Sequence, residues 1–182
     1  MRHAPRATRH AAELGLSKQT EFRTVTLGPL PFPDANFDVV FTSGALTQTE
    51  DKAGIVAECF RVLKPGGILT CYDWLKGDAL ISNDMRYFIQ MEGLTYNLIS
   101  LADLGNYLAA GGFEHVTMED ASDWYRHESL REYERMRGDR QRVVEMIGEA
   151  STDHMIEDWR SMVVVCEKGE LRQGYASGRR PG

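Results

Sequence analysis

Cysteine is scarce in this sequence: Cys59, Cys71 and Cys166 are its only three, and they stand far apart. None of them has the short spacing of a zinc or iron–sulfur ligand pair, so no thiolate metal site is expected. An odd, unpaired set points to a reducing compartment, with the cytoplasm as the expected location. Long apolar runs are missing too; a membrane-spanning helix needs about 20 such residues, so no membrane partner is expected. The N-terminal arginines are not followed by an apolar stretch, which excludes a secretory signal. Nor is there an excess of positive charge: net charge is −6 and pI about 5.4, which disfavours non-specific nucleic-acid binding. Arg2, Arg6 and Arg9, and again Arg179 and Arg180, form local basic clusters that read as solvated tails. No internal repeat and no low-complexity tract occurs.

What is present is the balance of a soluble globular protein, with 42% hydrophobic and 26% charged residues. A length of 182 residues supports one real core and is too short for two ordinary domains. A single domain over residues 1–182 is therefore expected. A short helical pattern at Thr8–Leu14 ends at Gly15. Glu21–Leu27 alternates apolar residues with threonines and predicts a strand. Prolines at 29, 31 and 33 make the next stretch a loop. Phe37–Thr42 and Ile68–Trp74 are nearly continuous apolar runs, the habit of strands buried on both faces of a parallel sheet.

Between them, Ile55, Val56, Cys59, Phe60 and Leu63 recur at helical spacing over Glu50–Leu63. Thr49 or Glu50 with Asp51 opens that helix, and Lys64-Pro65-Gly66-Gly67 closes it. Strand, helix, tight stop and strand make a βαβ unit with a right-handed crossover. Farther on, Asn83–Tyr96 is a mixed amphipathic segment. Ser100 and Asp103 form a capping box for a helix ending at Gly111-Gly112. Phe113–Met118 predicts a strand, Ser122–Glu149 and Met155–Lys168 predict helices, and Leu171–Arg180 a final strand.

The order P-F-P-D-A-N-F-D-V-V-F-T-S-G-A-L, an amphipathic helix, then R-V-L-K-P-G-G-I-L-T resembles the middle of a class I S-adenosylmethionine-dependent methyltransferase. Beyond Trp74, the run Met91–Tyr96, the helix from Ser100, Trp159 and Gly174-Tyr175 are similar to phosphoethanolamine and related small-amine N-methyltransferases. The resemblance implies a Rossmann-like α/β fold with sheet order 3-2-1-4-5-7-6 and helical cap segments at about 77–99 and 122–168. It also implies S-adenosylmethionine as cofactor and a small-molecule methyl acceptor, an amine being one option. The family's first strand ends in a glycine-rich loop that approaches the cofactor closely. No G-x-G-x-G pattern occurs here, and the acidic residue that takes the ribose hydroxyls is absent. Met1–Leu14 matches the helix after the second strand, so an incomplete fold lacking the first two strands is expected.

The resemblance assigns site residues one by one. Thr26, beside Leu27, stands where the family often places an adenine-binding aspartate, and threonine cannot replace that carboxylate. Thr42, Ser43 and Gly44 match the segment beneath the cofactor's methionine portion. Gln48, or its neighbour Thr47, matches a proton-accepting histidine, and neither is a base near neutral pH. Asp73 and Trp74 end a strand where substrate-facing groups occur, and an aromatic face can hold a cationic amine. Tyr96 matches a substrate-side tyrosine. Met162 falls where a phosphate-binding lysine is expected, so phosphobase recognition is not supported. His115, His127 and His154 read as surface residues. The expectation of methyl transfer has a rival, a non-catalytic remnant of the fold that binds a partner or itself. In the family's sheet order Phe37–Thr42 would keep an open edge, to be filled by Glu21–Leu27 or by a second copy; self-association is the favoured expectation.

Overall fold

Phe37–Ser43 (β1) and Leu63–Lys76 (β2) lie side by side and parallel, in register from Val39 opposite Ile68 to Ser43 opposite Tyr72. The chain between them runs through a single helical turn, Ala45–Gln48 (α2), and the longer Lys52–Val62 (α3). Asp51 caps α3, its side chain accepting from the Gly54 N–H at 2.8 Å. The expected crossover is therefore present. The structure, a computed structural model, describes residues 3–26, 28–78 and 80–182.

Lys64-Pro65-Gly66-Gly67 differs from its expected role. These residues lie inside β2, which begins one residue after α3, and the ladder slips between the Phe37–Leu63 and Val39–Ile68 pairs. Pro65 has no N–H to give to a ladder, and Gly66 sits at φ 77°, so this stretch forms a bulge. Gly67 fits only as glycine, because a Cβ there would lie 2.9 Å from the Lys64 carbonyl oxygen.

Glu114–Asp120 (β3) and Leu171–Arg179 (β4) complete the sheet in the order β1-β2-β4-β3, with β4 antiparallel to both neighbours. This is the 4-5-7-6 half of the family order. The expected strand at Glu21–Leu27 is overturned: residues 21–26 are exposed and carry no strand, and Leu27 lies outside the described residues. An apolar alternation forms a strand only where a neighbouring ladder takes its N–H and C=O groups, and among the described residues no strand lies beside 21–26; the loop after it is held instead by side chains. The Leu30 N–H donates to Glu58 at 2.6 Å, while Arg61 donates to the Leu30 and Phe32 carbonyls and to Asp34. Arg61 and the Leu30 N–H hold the Glu58 carboxyl down at about 2. Among the described residues no strand pairs with the outer edge of β1, and its Val39 and Phe41 are 55% and 65% exposed.

The remaining helices are His3–Glu13 (α1), Asn83–Glu92 (α4), Leu101–Ala110 (α5), Ser122–Gly138 (α6), Arg140–Ile147 (α7) and Glu149–Glu167 (α8). Ser100 and Asp103 form the expected capping box at α5. The long helical expectation over Ser122–Glu149 divides at Asp139, and α8 begins directly after Gly148, at φ 85°. Alternate residues of β2 serve two cores. Leu69, Cys71 and Leu75 pack with α3 and α5, whereas Trp74 joins Met85, Phe88, Tyr125, Met162 and Val165 from α4, α6 and α8.

Arg180 is not a solvated tail residue. Its guanidinium donates to the carbonyls of Phe60, Arg61 and Leu63 at 2.9, 3.1 and 2.5 Å, closing the C-terminus of α3, and stacks over the Phe60 ring. All three cysteines are buried free thiols, and burial pushes Cys59 up to about 11 and Cys71 and Cys166 to about 12. They are inert rather than nucleophilic.

Candidate functional site

The carboxyl ends of β1 and β2 meet the single turn α2, and that junction is built around two buried charges. Gly44 takes a left-handed conformation (φ 66°) and its N–H donates to the Tyr72 carbonyl at 2.9 Å, turning the chain off β1. The Asp73 carboxylate, 2% exposed, then accepts from the N–H groups of Leu46 and Thr47 at 2.9 Å each. It also accepts from the Trp74 N–H at 3.0 Å and from the Thr47 hydroxyl. From the other end of the turn, Lys52, 3% exposed, donates to the carbonyls of Leu46 and Thr49 at 2.7 Å each. Burial lowers the Lys52 pKa and the Asp73 charge opposes that shift. Asp73 thus accepts four hydrogen bonds and Lys52 donates two, which is what makes their burial tolerable.

A cleft of about 680 Å³ opens above this turn. Thr26, Thr42, Ser43, Gly44 and Gln48 line it, together with Val25, Ile55 and Gly93–Thr95. The Thr42 hydroxyl is buried and lacks a hydrogen-bond partner among the described residues. A Cβ on Gly44 would meet nothing within 4 Å, so the backbone there faces open space. A smaller cleft of about 280 Å³ lies against the same Ser43-Gly44 pair. Its lining is aromatic and acidic: Tyr72, Asp73 and Trp74 from β2, Trp124, Tyr125, Glu128 and Glu132 from α6, Trp159 from α8, and Gln173 from β4. Trp74 and Tyr125 meet edge to face, 4.7 Å between ring centres. Burial, with the charge of Glu128, raises the Glu132 pKa.

The residues singled out by sequence thus divide. Thr26, Thr42, Ser43, Gly44 and Gln48 come together in the larger cleft, while Asp73 and Trp74 border the smaller one. Leu27 lies outside the described residues. The polar atoms of Asp73 are directed at the α2 backbone. Tyr96 lines neither cleft; it packs on Phe88 at 5.7 Å, and burial, with the charges of Glu92 and Asp158, raises its pKa. Sequence reasoning missed Lys52, Trp124, Glu128 and Glu132. For the last three a signal existed, since Trp124, Glu128 and Glu132 recur every four residues and share one helix face. Among the described residues no group of histidine, cysteine and carboxylates is arranged to hold a metal ion. No described helix is long and apolar enough to cross a membrane.

Parallel strands joined by a helix, with clefts at their carboxyl ends, define an open α/β sheet of the ligand-binding kind. Residues 2–71 match the profile of the family described as "Methyltransferase domain". Phosphoethanolamine N-methyltransferase 1 of Arabidopsis thaliana is 26% identical over 161 residues, 88% of this chain and 32% of that protein. A sterol 24-C-methyltransferase of Gibberella zeae is 32% identical over 160 residues, 85% of this chain and 41% of that protein. Among solved structures, phosphoethanolamine N-methyltransferase 2 of Haemonchus contortus, in complex with phosphomonomethylethanolamine and S-adenosylhomocysteine, superposes with a TM-score of 0.77. It is 19% identical, over 83% of this chain and 35% of that one. The chain spans about a third of the length of the first curated relatives it matches, 32% and 35%. It is a relative of the class I S-adenosylmethionine-dependent methyltransferases, with their Rossmann-like fold in incomplete form.

Proposed function

We propose that this chain supplies the acceptor side and part of the cofactor floor of an enzyme that transfers a methyl group from S-adenosylmethionine to a small-molecule acceptor. The observation that carries this reading is the Ser43-Gly44 pair, whose two sides face two separate clefts. A donor in one cleft and an acceptor in the other would meet across a backbone with no side chain at Gly44. The residues present fit the methionine portion of the cofactor. The Thr42 hydroxyl lacks a partner among the described residues, and the Gly44 backbone admits close approach. Thr26 borders the same cleft at the adenine end, where it offers one hydrogen bond in place of a carboxylate.

The bound cofactor supplies an activated methyl group on a sulfonium. The chain's contribution is alignment and exclusion of water, the main needs of a direct displacement. Asp73 and Lys52 fix the α2 turn and hence the wall between the clefts. Gln48, exposed on the rim, orients rather than accepts a proton, and Thr47 is tied to Asp73. Single-domain organisation over residues 1–182, with cap segments near 77–99 and 122–168, belongs to the same reading. Three unpaired buried thiols support a reducing compartment, the cytoplasm.

Calorimetry of the purified chain with S-adenosylhomocysteine tests the cofactor reading. Absence of the glycine loop and ribose acid removes several hydrogen bonds, each worth about 0.5–3 kcal/mol. Weak but measurable binding is expected, further weakened by Thr42→Val; no binding at any concentration would overturn it. The second reading, a non-catalytic self-associating module, is favoured by one observation, the open edge of β1 with Val39 and Phe41 exposed.

A further inference from the structure

The smaller cleft has a chemistry of its own. Trp74, Trp124 and Trp159 all line it, and they are the protein's three tryptophans. Its hydrogen-bonding balance is one-sided. Gln173 is 2% exposed and borders the cleft, and among the described residues its side-chain carbonyl oxygen has no partner; one carboxylate oxygen of Glu132 is likewise buried and unpartnered among them. Glu128 is paired with Arg131 at 2.9 Å, but Arg131 is 75% exposed and does not border the cleft. No lysine, arginine or histidine is among the lining residues. Unmet acceptors of this kind are costly when buried, and a bound donor removes the cost.

We infer that this cleft binds a cationic, unphosphorylated amine, its ammonium N–H donating to Glu132, a second N–H or a hydroxyl donating to Gln173, and its alkyl groups lying on Trp74, Trp124 and Trp159. Cation–π attraction favours an onium group over a neutral one. A phosphate would face two glutamates with no cation to receive it, a like-charge approach that costs binding. A volume of about 280 Å³ suits an amine head group; drug-sized ligands occupy about 300–1,000 Å³, and a sterol skeleton does not fit. The acceptor class so defined differs from the phosphobase named with the Haemonchus contortus relative. As a statement about the methyl acceptor it rests on the proposed methyl transfer; as a statement about binding it does not.

The test is a tryptophan-fluorescence titration of the purified chain without cofactor, because every tryptophan reports on this cleft. Three probes are compared at pH 7: dimethylethanolamine, its neutral isostere 3-methylbutan-1-ol, and the phosphate monoester of dimethylethanolamine. A saturable change with the protonated amine is expected, at least about tenfold tighter than with either other probe, a difference of about 1.4 kcal/mol. Glu132→Gln should weaken amine binding about tenfold, and Trp124→Ala, at an exposed position, should weaken it as well. No saturable change, equal binding of the alcohol, or equal or tighter binding of the phosphate ester would each overturn the inference, and these outcomes are read on the unaltered chain. Failure of S-adenosylhomocysteine to bind in calorimetry would sink the methyl-transfer reading while leaving this titration untouched.

Discussion

Lys52 and Asp73 hold opposite ends of one helical turn: Asp73 accepts from the N–H groups of Leu46 and Thr47, and Lys52 donates to the carbonyls of Leu46 and Thr49. A turn of four residues has no internal helix to satisfy these groups, so the two side chains act as its cap at both ends. Asp73→Asn would turn an amide toward N–H groups and remove the nearest countercharge of Lys52. We expect a loss of about 3 kcal/mol in urea denaturation, the range for breaking a buried charge pair. Lys52→Met loses the countercharge as well as two hydrogen bonds, yet should cost less, because Asp73 keeps its four hydrogen bonds.

Stability should depend on pH through Asp158. Burial first, then the charge of Glu92, lifts its carboxyl from the ordinary 3.8 to about 6, against the lowering effect of His154. The folded state therefore holds a proton that the unfolded state releases between those values, and stability falls as pH rises through that window. Asp158→Asn should raise the melting temperature at pH 8, and the gain should shrink toward zero near pH 4. An equal gain at both pH values would show that the carboxylate charge is not its source.

Arg180→Ala removes three hydrogen bonds to the end of α3 and a stacked ring. A loss of about 2 kcal/mol is expected from the unmet carbonyls. Arg179→Ala, which gives up a single bond from an exposed side chain to the Gly66 carbonyl, should cost less than half as much. Thermal melts of the two variants distinguish them.

The open edge of β1 predicts concentration-dependent self-association in sedimentation velocity, and Phe41→Lys should abolish it, since charges on an edge strand block pairing. A stable monomer across the concentration range would remove the self-associating reading.

Long apolar runs made β1 and β2 legible as strands, but they overstated the cover of β1, which leaves Val39 and Phe41 exposed because no further strand or helix of the described residues packs there. The Ser100–Asp103 box was legible because its bonds are local. The Glu21–Leu27 alternation misled for the opposite reason: a strand needs partners that the local pattern cannot supply. Arg180 and Lys52 were opaque because their partners are backbone carbonyls, which leave no mark on residue spacing. The polar look of Ser122–Glu149 concealed Trp124, Glu128 and Glu132, since α6 packs on α8 and β4 with only part of its surface and the rest is polar.

The place of β4 in the sheet constrains how the chain is made. β2 and β3 are both translated long before Leu171–Arg179, yet neither touches the other: β2 pairs with β1 and β4, and β3 with β4 alone. On the ribosome the two strands must wait as separate, half-covered edges while α6, α7 and α8 are synthesised. Non-local closure of this sort is slow and leaves strand edges available to other chains. Until β4 arrives, β2 and β3 each keep an unpaired edge, and only its insertion between them closes this half of the sheet.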